Sequence, residues 1–343
     1  MAQVRLALVG CGKIGQRHLQ ALVHQNRAAL VATVDSERER AVAAAVAFDA
    51  DAFETLEEMQ HAVEVDAIIL ATPSGTHRAL AEWALAAGLH VMVEKPLALS
   101  YRDAAAIVAA GQSAGRVVTA TQFNRLLPAV AQAVAAYQRG QLGRVIEGAV
   151  ALRWARPQSY YDAAAWRGTR SMDGGVLYNQ AIHALDILLQ FTGPAEEVFA
   201  FAGTLTHAIE TEDTLVASIR FGSGALGTVT ATTSVPDTNL EERVTVIGDK
   251  GVVVIGPTPQ TISTWRIAGE DEDTVRDSLA ALPARPGWQS HADALVDFTE
   301  AILGKIPARL DAASGLPVLA VIEAAMRSVD LRRPVRIDEV QAG

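Results

Sequence analysis

The chain has 343 residues, half of them hydrophobic and 20% charged, a length that suggests about two domains and a composition that excludes disorder for its bulk. Against 29 Lys and Arg stand 39 Asp and Glu, a formal net charge of −10 at pH 7. That balance, with no block of basic residues, argues against partners such as nucleic acid or a membrane surface.

The chain opens on an apolar, β-rich run at residues 4–9 that ends in glycine. The start is too short for a signal h-region and runs straight into a glycine loop, which gives the expectation of a cytoplasmic protein. A helix is predicted at 16–25 and a second strand at 30–35. Helices follow at 41–47 and 56–63, a fully apolar strand at 66–72 (DAIILAT), and a helix at 79–87. A strand at 90–93 stops at Glu94-Lys95-Pro96. Ser100 caps a helix at 101–111, and a strand at 117–121 closes the series. Apolar strands alternating with helices imply a parallel sheet covered on both faces.

After Gln122 the texture changes. A helix at 128–137 is followed by strands at 145–154, 197–203, 214–221, 225–234, 243–247, 252–255 and 261–265, punctuated by glycine turns. Their alternation fits an antiparallel sheet with one solvated face. A long helix at 175–191 interrupts them, and the tail returns to helices at 290–303 and 316–329. None of these apolar stretches is read as reaching the roughly 18–20 residues of a membrane helix. The predicted division is a dinucleotide-binding domain at 1–123 and an α/β domain at 124–343, with the 316–329 helix packing back on the first.

Gly10-Cys11-Gly12-Lys13-Ile14-Gly15 matches G-x-G-x-x-G between a strand and a helix. Gly10 allows the tight turn, Gly12 lets backbone approach a pyrophosphate, and Gly15 lets helix and strand pack closely. The phosphates then lie at a helix N-terminus, which favours anions. Asp35 comes 35 − 15 = 20 residues after the last glycine, the spacing of the carboxylate that binds the ribose 2′-hydroxyl. It favours NAD, while Arg38 and Arg40 leave NADP open. Cys11, the single cysteine, excludes an internal disulfide and reads as a small filler of the loop.

Three further features carry chemistry. Lys95 sits at a strand end, where an open α/β sheet binds its ligands, and suits stabilisation of an alkoxide. His77 follows another strand end and reads as a cofactor-side residue. In the helix at 175–191, Asn179, His183, Asp186 and Gln190 fall at i, i+4, i+7 and i+11 and form one polar stripe on an apolar helix. His183 is the general-base candidate. The other histidines, His18 and His291 among them, are scattered and show no metal-ligand spacing, so no metal is expected.

The glycine loop, Ala71-Thr-Pro-Ser-Gly-Thr-His77, Glu94-Lys95-Pro96, Gln122-Phe-Asn-Arg125 and the segment from Gly174 to Asp186 together resemble the glucose–fructose oxidoreductase, inositol dehydrogenase and MocA family along nearly the whole chain. The resemblance implies a Rossmann domain and a C-terminal α/β domain with a large open, mainly antiparallel sheet. It implies homodimers or homotetramers built through that sheet, and NAD(P)-linked oxidation or reduction of a sugar, sugar acid or cyclitol. By the same resemblance Lys95 and His183 are the catalytic pair, with Asn179 beside them. The cofactor would be held by the Gly10–Gly15 loop with Lys13 and Ile14, by Asp35, Ser36 and Arg38, by Thr72, Pro73 and His77, and by Glu94, Lys95, Pro96 and Gln122. The substrate would meet Lys95, Asn124, Arg125, Arg153, Tyr161, Trp166, Arg167, Asn179 and His183. The stretch 153–170 also holds Arg156 and Tyr160, so it offers both cations and rings. One departure is Asn179, where many members carry Asp; an amide cannot share proton transfer as a carboxylate does. The Asn-Gln-x-x-His form is shared with members acting on nucleotide-sugar acids and with others. Two alternatives stay open: an NAD-dependent glycosidase on the same fold and a non-catalytic nucleotide-binding regulator.

Overall fold

The computed structural model describes residues 3–342. They divide into two units, and each is described by itself.

The first unit takes the chain up to Ala98, Asp103–Phe123 and Arg285–Gly315. Six short strands form its sheet: β1 (Val4–Val9), β2 (Ala28–Val34), β3 (Asp51–Phe53), β4 (Ala67–Leu70), β5 (His90–Val93) and β6 (Val118–Ala120). All pair in parallel, in the order β3-β2-β1-β4-β5-β6. That order places a switch point between β1 and β4, where doubly wound sheets bind dinucleotides. The apolar runs read from the sequence follow from burial on both faces: every residue of β4 is buried, as are Val91, Met92 and Val93 of β5. Asp51–Phe53 is too short to announce itself as a strand.

A tail segment returns to this unit. His24 stacks on Trp288 with centroids 3.8 Å apart, Arg27 pairs with Glu300 at 3.0 Å, and Ala120 N–H donates to Leu310 O at 3.0 Å. The helix Gln289–Ile302, not the one after it, is therefore the tail helix of the first unit. The helix Leu316–Leu331, expected there, lies in the second unit, where it packs against the strand Ala195–Gly203 and the helix Ile182–Thr192. Its apolar surface is broad enough that, with the turn before it, residues Ala312–Leu331 pass for a membrane span by length and composition. This corrects the expectation that no stretch is long enough. Val318, Leu319, Val321 and Ile322 of this helix are buried, so its apolar character serves packing.

The second unit comprises Leu99–Arg102, Asn124–Ala284 and the chain from Leu316 onward. Its sheet has eight strands: β7 (Val145–Arg153), β8 (Ala195–Gly203), β9 (Thr214–Phe221), β10 (Leu226–Thr232), β11 (Glu241–Gly248), β12 (Gly251–Ile255), β13 (Ile262–Ile267) and β14 (Val335–Arg336). The order is β13-β12-β11-β7-β10-β9-β8-β14. All neighbours are antiparallel except β7 and β10, which run parallel, so the sheet is mixed. One face carries the helices Ile182–Thr192 and Leu316–Leu331. Strict alternation along β9 leaves the other face open: Val216, Ser218 and Arg220 are exposed, Phe201 stands opposite Val216, and Leu226 opposite Arg220.

Candidate active site

In the first unit the site is made of strand ends. After β1 the chain turns at Gly10, whose φ is +90° and where a Cβ would lie 2.6 Å from Ala71 O. At Gly15 a Cβ would stand 2.2 Å from Gly10 O, so helix and loop close only on glycine. Gly12 is different: a Cβ there meets nothing within 4 Å, so this backbone faces open space. Gly12 is also the N-cap of the helix Lys13–Val23, which no side chain caps. Asp35 follows β2 and accepts from Cys11 N–H at 2.8 Å and from Glu37 N–H at 2.9 Å, which aims its carboxylate along the loop. An open, uncapped helix start beside a fixed carboxylate fits the pyrophosphate and ribose of a dinucleotide. Lys13, Ile14, Ser36 and Arg38 lie exposed around this cradle. The Cys11 thiol is buried and pushed up to about 12 by burial and by Asp35, which keeps it an inert filler.

The turns after β4 and β5 are tied together. His77 is fully buried, with Nδ1 2.9 Å from Pro96 O and Nε2 3.1 Å from Thr72 O. Burial holds its pKa below the ordinary value, and a neutral ring donates to one of these carbonyls at a time. His77 therefore fixes the turns that carry Thr72, Pro73 and Pro96. Lys95, joined to Pro96 by a cis peptide bond, has its N–H 3.0 Å from Thr121 Oγ1 and 3.2 Å from Glu94 Oε2. Glu94 is buried; burial raises its pKa, but hydrogen bonds from His18 at 2.8 Å and Thr121 at 2.8 Å win and hold it well below the usual carboxylate range. Gln122, also buried, packs against Gly315, where a Cβ would come within 3.0 Å of its Oε1.

In the second unit the polar helix begins as a π-helical turn, Leu177–Ala181, and continues as the α-helix Ile182–Thr192. Single π-turns of this kind concentrate at functional sites. From Gly175 to Phe191 every residue is buried except Asn179, His183 and Gln190. Three of the four stripe residues thus open to one side, as their spacing predicts. The fourth, Asp186, is buried and receives Arg125 through Nε at 2.6 Å and through Nη2. Arg125, expected to meet substrate, is held in this ion pair. Asn124 is buried beside it in the sequence, its carbonyl accepting from Leu127 N–H at 3.1 Å. Asn179 Nδ2 donates to Asp173. Asp173 in turn accepts from Gly168 N–H at 2.7 Å.

The segment 153–170 sorts itself by burial and charge. Arg153, at the end of β7, pairs with Glu241, and Tyr161 is buried with its hydroxyl 2.9 Å from Thr233 Oγ1. Both are expected to bind substrate, and both have these partners within the second unit. Tyr160 is half-buried between two cations: Arg167 lies 4.3 Å from its ring centroid and Arg156 5.3 Å. Arg156 also lies over Trp154 at 4.7 Å, and Arg167 over Trp166 at 5.5 Å. Among the described residues neither guanidinium has a carboxylate within 4 Å; they bond Ala155 O, Gln180 and Tyr160 O. His18, His291, Thr121 and Glu212 have no role at the site by sequence pattern. Only His18 carries a local signal, three residues after Gly15 on the face of the first helix that is buried.

Comparison with known proteins agrees with this geometry. Residues 4–122 match the family model described as an oxidoreductase family with an NAD-binding Rossmann fold, and residues 130–254 match the GFO/IDH/MocA C-terminal domain. The chain is 35% identical to the WlbA dehydrogenase of Bordetella pertussis, solved in complex with NADH and UDP-GlcNAcA, with a TM-score of 0.91 over 98% of both chains. It is 27% identical to a UDP-N-acetylglucosamine 3-dehydrogenase of Acidithiobacillus ferrooxidans, over 93% of this chain and 95% of that one. It is 25% identical to a myo-inositol 2-dehydrogenase of Thermotoga maritima, over 98% and 99%. The two matched stretches span the glycine cradle and the helix with one open polar side, and the chain belongs to the glucose–fructose oxidoreductase, inositol dehydrogenase and MocA family of NAD-binding oxidoreductases.

Proposed function

We propose that the protein oxidises a secondary hydroxyl of a sugar, sugar acid or cyclitol to a ketone, or runs the reverse, and that its preferred substrate carries an anionic group, as a nucleotide-sugar acid does. Bound NAD would supply the hydride acceptor, and NADH the hydride donor in reverse. Gly10, Gly12 and Gly15 cradle its pyrophosphate, and the Asp35 carboxylate selects a ribose with a free 2′-hydroxyl over the 2′-phosphate of NADP. His183 takes the hydroxyl proton, and the Lys95 ammonium stabilises the oxygen as charge develops on it. Asn179, oriented by Asp173, hydrogen-bonds a neighbouring hydroxyl. The observation that carries this reading is the helix of residues 175–191, buried except at Asn179, His183 and Gln190.

The anionic substrate is supported by Arg156 and Arg167, two guanidinium groups on one tyrosine that face neutral partners in place of carboxylates. The similarity to a dehydrogenase crystallised with UDP-GlcNAcA points the same way. The open sheet face bearing Phe201, Val216 and Leu226 supports a homodimer or homotetramer formed through it, and a solution mass equal to one chain would remove that part. Dependence on NAD fits a cytoplasmic location, which cell fractionation tests.

The test is NADH or NADPH formation across cyclitols, aldoses, sugar acids and nucleotide sugars, repeated with Lys95→Met and His183→Ala. Each variant is expected to lose at least ~100-fold in turnover while keeping NAD affinity. Near-normal turnover in either variant removes that residue from the chemistry, and a preference for NADP overturns the role of Asp35.

A further inference from the structure

Glu94 is enclosed by groups from four elements of the first unit. His18, on the helix Lys13–Val23, places Nε2 2.8 Å from Oε1. His291, on the helix Gln289–Ile302, places Nε2 3.7 Å from the same oxygen. The other oxygen, Oε2, accepts from Thr121, just past β6, and from the N–H of Lys95 in its own turn. The two imidazoles meet edge to face with centroids 4.9 Å apart, and Phe123 packs on His291 at 4.9 Å. All of these except Lys95 and Phe123 are at least nine-tenths buried.

The three ligand atoms lie within 4.8 Å of one another, a spacing a metal ion would accept. Yet neither His18 Nδ1 nor His291 Nδ1 has a hydrogen-bond partner among the described residues. Metal-bound imidazole normally donates that far N–H to an acceptor that fixes the ring. The arrangement suits a carboxylate held by imidazole better than it suits a cation. Burial pushes His291 down to about 4, so near neutrality its ring is uncharged and walls Oε1 from water. His18 is then the hydrogen-bond donor to Oε1. With Oε1 committed to His18, Oε2 has one orientation, in which it receives Thr121 Oγ–H while Thr121 Oγ receives Lys95 N–H.

We propose that His18 and Thr121 are positioning residues for Lys95: through Glu94 they lock the backbone from which the Lys95 side chain projects. The inference rests on the reading of Lys95 as the group that handles the reacting oxygen. Thr121→Val removes the hydroxyl and keeps the shape, and Thr121→Ser restores the hydroxyl.

Both variants, with His18→Asn and Lys95→Met, are compared in the full chain by steady-state kinetics and by amide hydrogen exchange of the peptide spanning residues 94–97. Thr121→Val is expected to lower kcat about tenfold with KM for NAD and substrate within about twofold, because a small misplacement of a reacting group costs rate more than binding. Thr121→Ser returns kcat to within about threefold of the parent. Exchange at 94–97 speeds up in Thr121→Val and His18→Asn and stays slow in Thr121→Ser. Unchanged exchange in Thr121→Val and His18→Asn overturns the proposal whatever the rates do. Faster exchange with unchanged kcat overturns it as well, if Lys95→Met is inactive. Normal turnover in Lys95→Met instead defeats the reading of Lys95, and the exchange data still decide whether the lock exists.

Discussion

Glu94 and Glu212 are both buried carboxylates, each beside a segment that the proposed reaction uses, and they are held in opposite ways. Glu94 precedes Lys95 and has both oxygens bonded, to His18, Thr121 and the Lys95 N–H. Glu212 lies against the start of the helix that bears Asn179 and His183. A Cβ at Gly175 would stand 2.3 Å from its oxygens, and it accepts from Leu177 N–H at 3.4 Å. Burial raises both groups. At Glu94 the donors outweigh it and the group stays ionised; at Glu212 they do not, and its pKa rises to about 7. Burial sets the starting cost of the charge, and the number and closeness of donors decide whether the charge survives.

Four substitutions break or sharpen this contrast. The largest effect is expected from Glu94→Gln, which removes a buried charge that its neighbours are built to receive and costs about 4 kcal/mol near neutrality. A folded pKa below the unfolded value adds stability above that unfolded value, so the deficit is full above pH 4.5 and closes as pH falls. Urea unfolding across pH checks both size and direction; a deficit that grows in acid would show that Glu94 is not held ionised.

Glu212→Gln is expected to act in the other direction. Its folded pKa of about 7 lies above the ordinary 4.5, so the folded protein holds the extra proton and loses stability as pH rises between these values. The amide escapes that loss, and the variant should gain up to about 3 kcal/mol over the parent by pH 8, with no difference below pH 4.5. Equal pH dependence of the two proteins would mean that Glu212 titrates alike in the folded and unfolded chains.

The smallest effect concerns two half-buried arginines. Arg156→Gln and Arg167→Gln should each raise KM for an anionic substrate about tenfold, a loss of about 1.4 kcal/mol, and leave KM for neutral sugars alone. Equal losses on charged and neutral substrates would assign the two arginines to the fold.

Much of the cofactor half was legible because its signals are local. The loop Gly10–Gly15, the carboxylate after β2 and the lysine after β5 each belong to a strand end, and apolar strands announce themselves when both faces are covered. The open side of the helix at 175–191 was legible for the same reason, since residues three and four apart share a face. Which member of the stripe stays closed was not. Asp186 is buried because Arg125, 61 positions earlier, reaches it. Nor could the segment 153–170 tell Tyr160 from Tyr161: neighbours in sequence, one lies under two guanidinium groups and the other is bonded to Thr233.

The sequence by itself determined the alternation of strand and helix, the glycine cradle, the lysine at its strand end and the polar stripe, because periodicity and turn chemistry act over a few residues. Only the tertiary structure decided that His18 and His291 enclose Glu94, that the helix Gln289–Ile302 returns to the first unit while Leu316–Leu331 stays in the second, and that Arg125 and Arg153 are held in ion pairs while, among the described residues, Arg156 and Arg167 are not. Those outcomes depend on which distant side chains share a buried space, and the energy of a buried charge is set by partners that no local pattern records.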